Sequence, residues 1–288
     1  MRPRVSTPSL PSANPNGRVA ERKGLTAVML IDTHIHLDAA EFDGSRDSVL
    51  IDARAAGVGA FVVPAVDRES FHRVTALAAA NRDIYPALGI HPLFTAAATQ
   101  DDLEVLEHEL GRTKCVAVGE IGLDHFVEEA DREQQLRFFV AQLCIAQRFQ
   151  LPVILHLRRA QDAVLKQLRQ HAVCGGIAHA FNGSRQQADA FIKLGFKLGF
   201  GGAMSFEGSQ RIRRLATELP LDSIVLETDA PDMGPAWGQG RSNVPANIAR
   251  YARILAELRG LPVEEVIRAT GANARTALPG LGASSATP

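Results

Sequence analysis

Six of the nine histidines in this 288-residue chain stand at the ends of short apolar runs, where side chains of neighbouring strands can converge. His34 and His36 close the run Leu30–Thr33, His91 follows Ile84–Gly89, and His125 comes after Cys115–Gly119. His156 ends Pro152–Leu155 and His179 ends Gly176–Ala178. His72, His108 and His171 fall in helical stretches and read as solvated or packed imidazoles. Two carboxylates join the first set: Glu120, directly after Val116–Gly119, and Asp229, just beyond Ser223–Leu226. A carboxylate at a buried strand end is costly unless it is paired or bound to a metal. Alternation puts His34 and His36 on one face, so both reach inward toward one ion. An HxH pair alone fits packing as well as ligation. Joined by Glu120, His156, His179 and Asp229, each from a different strand end, it reads as a metal centre.

Six donors exceed the need of one catalytic ion with an open position and suit two ions about 4 Å apart. Glu120 is the natural bridge, with His34, His36 and Asp229 expected on one ion and His156 and His179 on the other. Mixed nitrogen and oxygen donors admit zinc, manganese or iron, and magnesium where water completes its shell. Two divalent cations against two carboxylates leave the pocket positive, which favours an anionic group such as a phosphate.

The elements that must carry these residues follow a βα pattern. Further β-branched runs at Ala60–Pro64 and Lys197–Phe200 bring the strand candidates to eight. Helical spacing appears between them at Ser45–Ala56, Glu69–Ala80, Leu103–Leu110, Arg132–Phe149, Ala160–His171, Arg185–Leu194 and Gln210–Glu218, then at Val244–Leu258 and Val263–Thr270. Eight strand–helix units in about 250 residues predict a single-domain α/β protein of the TIM (β/α)8 barrel class. A doubly wound sheet is disfavoured by the lack of GxGxxG or GxxxxGK[ST]. The barrel is expected over 29–280, with a disordered tail at 1–28 rich in Pro, Ser, Asn and Arg, and a flexible tail at 281–288.

Composition narrows the function. Lys and Arg total 31 against 32 Asp and Glu, so no global field draws the chain onto a duplex or an anionic membrane. No apolar run suits a signal peptide or a membrane span, and Cys115, Cys144 and Cys174 form no CxxC pair. A cytoplasmic monomer without an obligate protein partner is the expectation.

The segments IDTHIHLD (31–38), GIHP (89–92), VGEIGLD (118–124), PVILHLRRA (152–160), HAFNGS (179–184), LGFGGAMSF (198–206) and LETDAP (226–231) resemble, in order and spacing, the TatD family of metal-dependent hydrolases. The resemblance covers about Met29 to Leu278, and the continuation ETDAPDM with Asn243 and Pro245 fits its general hydrolase branch as well as or better than its nuclease branch. It implies a deoxyribonuclease-like, 3′-to-5′ exonuclease type of phosphoester hydrolysis. A metal-bridged water would serve as nucleophile, with Asp229 as general base and the same six metal positions. An amide, ester or lactone hydrolase of the amidohydrolase type is the alternative. The expected substrate is a DNA end or a small phosphoester.

Four further residues are candidates for the substrate side. His91 could donate to a phosphate oxygen or tie down its loop. Arg158 could clamp a phosphate or form a salt bridge. Asp124 could orient a ligand histidine. Trp237, the one tryptophan, could stack on a base or anchor its loop. Arg159 and Asn182 depart from the acidic residue and the Ser usual in the family, and both face the expected substrate side. Removing residues 1–28 is expected to leave melting temperature and hydrolysis unchanged, measured on the chain begun at Met29.

Overall fold

The computed structural model describes residues 29–238 and 240–282; the tail expected over 1–28 and residues 283–288 lie outside them. Eight parallel strands form one sheet in sequence order: β1 Leu30–Asp32, β2 Val58–Pro64, β3 Ile84–Leu88, β4 Ala117–Asp124, β5 Val153–Arg158, β6 Gly176–Ala178, β7 Phe196–Phe200 and β8 Ile224–Leu226. Helices α1 Arg46–Ala55, α2 Arg68–Ala80, α3 Gln100–Arg112, α4 Arg132–Phe149, α5 Gln161–Gln170, α6 Arg185–Lys193 and α7 Gln210–Glu218 cover the outside, followed by α8 Ile248–Arg259 and α9 Val263–Ala277. This is a TIM barrel. Several helices start on side chains suited to free N–H groups: Asp67 and Ser70 form a capping box on α2, and Ser184 and Gln187 do so on α6.

The ring closes between the first and last strands. Thr33 donates its backbone N–H (3.1 Å) and its hydroxyl (3.0 Å) to the Leu226 carbonyl, and Asp229 N–H donates to the His34 carbonyl at 2.8 Å. Beneath them Asp32, fully buried, accepts from the Thr228 backbone N–H at 2.9 Å and the Thr228 hydroxyl at 2.6 Å. Burial pushes the Asp32 carboxyl up to about 8, although these bonds oppose the shift.

Two apolar layers hold the barrel. Residues such as Leu155, Leu198 and Phe200 face the helices, whereas Ile31, Val62, Ile154, Ile177 and Val225 pack with Ala274, Ala277 and Leu278 of the C-terminal segment. Each fully buried Ile or Val contributes about 1.5–3 kcal/mol. Leu281 joins this second layer at 5% exposure, so packed chain extends past the 280/281 boundary expected from composition.

The fourth strand departs most from its expected span. It does not stop at Gly119 but continues, buried throughout, to Asp124. Val118 pairs with Val153, yet Ile121 pairs with Leu155, so the stretch between carries one extra residue on β4. At this irregularity the Glu120 N–H donates to the Ala65 carbonyl at 3.0 Å, just past β2. Glu120 therefore sits within a strand, not after one. The fifth strand likewise runs past His156 to Arg158. Among the described residues no helix is long and apolar enough to cross a membrane.

Thr228→Val should lower stability by about 1–3 kcal/mol in urea unfolding, because it leaves a buried Asp32 oxygen without its hydroxyl partner.

Candidate metal centre

The extension of β1 carries the first two histidines. Ile35 N–H bonds the Val62 carbonyl at 3.1 Å and His36 N–H bonds the Ala230 carbonyl at 2.9 Å, so the segment is held between its neighbours on both sides. Its alternation brings the two Nε2 atoms to 3.2 Å. Glu120 Oε2 lies 3.1 Å from His34 Nε2 and 3.6 Å from His36 Nε2. Asp229 Oδ1 completes the group, at 3.6 and 3.5 Å from the same nitrogens.

The other oxygen of Glu120 faces a second group. Its Oε1 is 2.9 Å from His156 Nδ1 and 3.6 Å from His91 Nε2, and those two nitrogens are 3.0 Å apart. Behind His156, its Nε2 meets Asp124 Oδ2 at 2.9 Å. His179 stands elsewhere: its ring stacks on His34 at 3.6 Å and its Nε2 lies 3.6 Å from Asp229 Oδ2. The donor groups within 4.8 Å are thus His34–His36–Glu120, His34–His179–Asp229 and His91–Glu120–His156. His156 and His179, expected to share one ion, fall in different groups. Asp124 turns one imidazole toward Glu120, and stacking on His34 turns the other toward Asp229.

His156 lies between two carboxylates, Asp124 at its Nε2 and Glu120 at its Nδ1, both at 2.9 Å. Burial acts to lower its pKa, but these two partners outweigh it and raise the pKa, and a divalent ion at Nδ1 would take the place of the ring proton on that side. His91 Nδ1 accepts from the Leu93 N–H at 3.2 Å, and burial takes the ring down to about 3, so neutral His91 carries its proton on Nε2. His91 therefore presents a donor to the centre, not a lone pair. His179 Nδ1 lies 3.1 Å from Glu227 Oε1, outside hydrogen-bond alignment, while Oε1 accepts from Ala180 N–H at 2.6 Å.

The electrostatics are those of a metal site. Burial holds His34 neutral, its pKa well below the ordinary value. Burial also opposes ionisation of Glu120, yet the surrounding imidazoles of His34, His91 and His156 outweigh it and keep the carboxylate ionised. Burial raises Asp229 to about 6. His179 rises to about 10, since Glu227 and Asp229 overcome the burial that would lower it. Imidazole nitrogens and carboxylate oxygens crowd one desolvated space, and His34 Nδ1 finds no hydrogen-bond partner. Divalent cations fit that donor set.

Sequence reasoning passed over several supporting residues. Glu227 is buried at 2% exposure behind His179, and a Cβ at Gly199 would fall inside its carboxylate. The glycine of LGFGG opposite the acid of LETD was the available signal. Gln142 of α4, fully buried, bonds both the N–H and the carbonyl of Ile90 at 2.7 and 3.0 Å, fixing the turn that carries His91. Gln135 accepts from Asp124 N–H at 2.9 Å. A glutamine on the apolar face of a helix is the trace such residues leave.

A cleft of about 840 Å³ opens over the centre and is lined by His36, Glu120, His156, Arg158, Asn182 and Asp229 among others. Arg158 is exposed there, its guanidinium 3.6 Å from the Phe126 ring centre, with Arg159 over the same ring at 4.6 Å. Asn182 accepts from Gln161 at 3.0 Å. Trp237 is not among the described residues lining the cleft: Arg250 lies over its ring at 3.6 Å and its indole N–H donates to Asn247 at 3.3 Å. In this arrangement it anchors its own loop.

The family model described as TatD related DNase matches residues 31–279. The chain belongs to the TatD family. It is 43% identical over 242 residues to the metal-dependent hydrolase YjjV of Escherichia coli K12, spanning 83% of this chain and 93% of that protein. Against the crystal structure of that TatD homologue the TM-score is 0.84, covering 87% of this chain and 98% of the other at 42% identity. Human deoxyribonuclease TATDN3 is 33% identical over 267 residues, 88% of this chain and 96% of that one.

Gly199→Ala should destabilise the TatD barrel by about 1–3 kcal/mol through overpacking against Glu227, read as a lowered denaturation midpoint. Shortening the acid in Gly199→Ala/Glu227→Asp should recover part of the loss.

Proposed function

We propose that this TatD-family metal-dependent hydrolase cleaves phosphoester bonds, acting on a DNA end in the 3′-to-5′ direction or on a small phosphoester. Two divalent ions would be held on either side of Glu120. The observation that carries this reading is the division of the Glu120 carboxylate, with Oε2 toward His34 and His36 and Oε1 toward His156. Bound ions would supply positive charge for a phosphoryl group and lower the pKa of a water to about 7.

The chain's own residues do the rest. His34 and His36 with Asp229 would hold one ion, and His156 the other. His179, whose Nε2 faces Asp229 Oδ2 at 3.6 Å, would complete the donor set of these two ions. Asp229, whose side chain is 14% exposed against 3% for Glu120, is the more open of these two carboxylates and would accept a proton in the cleft. His91 Nε2–H would donate to a phosphoryl oxygen once His156 Nδ1 is engaged. Arg158 and Arg73 line the cleft and add positive charge for the rest of the substrate. The name of the human relative, a deoxyribonuclease, supports phosphoester chemistry. Free cysteines at 115, 144 and 174 suit a reducing compartment, and we place the enzyme in the cytoplasm.

Chelation should abolish turnover of a single-stranded oligonucleotide, and Mn²⁺, Mg²⁺ or Zn²⁺ should restore it. Glu120→Gln and Asp229→Asn should each reduce kcat by about 10²- to 10⁴-fold while the fold is kept. Hydrolysis of carboxylic esters or lactones with no phosphoester turnover would overturn the proposal.

A further inference from the structure

The loops at the carboxyl ends of the strands carry an unusual share of exposed apolar side chains. Leu93 and Phe94 stand after β3, Phe126 after β4, and Met233 and Trp237 after β8, each between 37 and 45% exposed. Leu93, Phe94 and Met233 line the cleft over the centre, and exposed apolar groups beside a polar cleft mark a place where a ligand is met. They are not equivalent. Phe126 carries Arg158 and Arg159 on its ring and Trp237 carries Arg250, so both are already occupied. Among the described residues, Phe94 makes one ring contact, a T-shaped one with His91 with ring centres 6.1 Å apart at 76°, and it stays 43% exposed while lining the cleft beside Leu93.

The position of this shelf is fixed relative to the centre. His91 Nε2 is 3.6 Å from Glu120 Oε1, so one imidazole separates the Phe94 ring from the bridging carboxylate. The turn Pro92–Phe94 is also stiff. Its N-terminal His91 accepts from Leu93 N–H, Phe94 N–H bonds the His91 carbonyl at 2.9 Å, and Thr95 bonds the Pro92 carbonyl at 2.8 Å. Gln134 holds the Thr95 carbonyl from α4 at 3.2 Å. A flat apolar surface is therefore presented beside the site of phosphate chemistry without having to be ordered on binding.

We infer that the Leu93–Phe94 shelf is a subsite for an unpaired nucleobase at the end of a strand. The inference rests on the phosphoester reading of the centre. A nucleotide places an anion and a planar apolar ring one sugar apart, the same order in which the cleft offers its cationic centre and Phe94. The subsite takes the face of a terminal base while the neighbouring phosphate meets the centre. Because every base has a π-face, it discriminates little between sequences.

The test compares two oligonucleotides that differ only in their last residue, a normal 3′ nucleotide or an abasic one, on metal-loaded enzyme. The readouts are kcat/KM and, with a phosphorothioate at the terminal linkage, the Kd by fluorescence anisotropy. The wild type should favour the base-bearing end by about 5- to 150-fold in both readouts. Phe94→Ala should bring the ratio close to one, and Phe94→Tyr should restore it. A wild-type ratio near one, or a ratio unchanged in Phe94→Ala, would overturn the subsite while leaving phosphoester cleavage intact. If neither end is cleaved, the anisotropy ratio still decides the subsite and the loss falls on the proposed reaction.

Discussion

Glu120 is a carboxylate with almost no access to water, placed where five strand ends point their polar side chains. An ion in that position must be compensated from every side, and the barrel supplies the compensation from strands far apart in sequence. The extra residue on β4 turns the Glu120 backbone toward Ala65, so its side chain enters the mouth of the barrel with both oxygens usable. His34 and His36 answer one oxygen and His156 the other. The closure of β1 on β8 then decides where Asp229 stands, because its N–H is tied to the His34 carbonyl.

What lies behind each imidazole decides what the imidazole offers in front. A carboxylate behind His156 takes a proton from the rear nitrogen, so that the forward nitrogen, facing Glu120, can give its lone pair to a cation that replaces the proton there. A backbone N–H behind His91 does the reverse, leaving a proton forward, the arrangement suited to an anionic oxygen. Two histidines 3.0 Å apart would thus take opposite chemical parts once a cation is bound, with no difference in residue type. Glu227 stands 3.1 Å behind His179 and raises its pKa by charge, and the missing side chain of Gly199 is what makes room for it.

Much of this was legible in the sequence for a simple reason: alternation and strand ends are one-dimensional features. The eight strands, the barrel and the convergence of His34, His36, Glu120, His156, His179 and Asp229 on one face follow from them. Alternation assigns a face, however, not the nitrogen that points across it or the oxygen it meets. Ring orientation, which sets His156 against Glu120 and His179 against Asp229, depends on Asp124 and on stacking against His34. The span of β4 was missed because two glycines flank Glu120 and weaken the strand pattern where the irregularity lies. Glu227, Gln135 and Gln142 were hidden because a polar residue that supports another differs from an ordinary polar residue only in three dimensions.

The contact between Asp32 and Thr228 joins residues 196 positions apart. A chain made from its N-terminus holds Asp32, His34 and His36 through most of its synthesis with no eighth strand to meet them, and contacts of such long range are slow to form. The rest of the sheet can assemble from neighbour to neighbour while this seam stays open. The donor set at its top is then complete only in the last stage of folding. A nascent chain, or one cut short of β8, cannot carry a finished active centre, so hydrolytic competence arrives together with the fully closed ring.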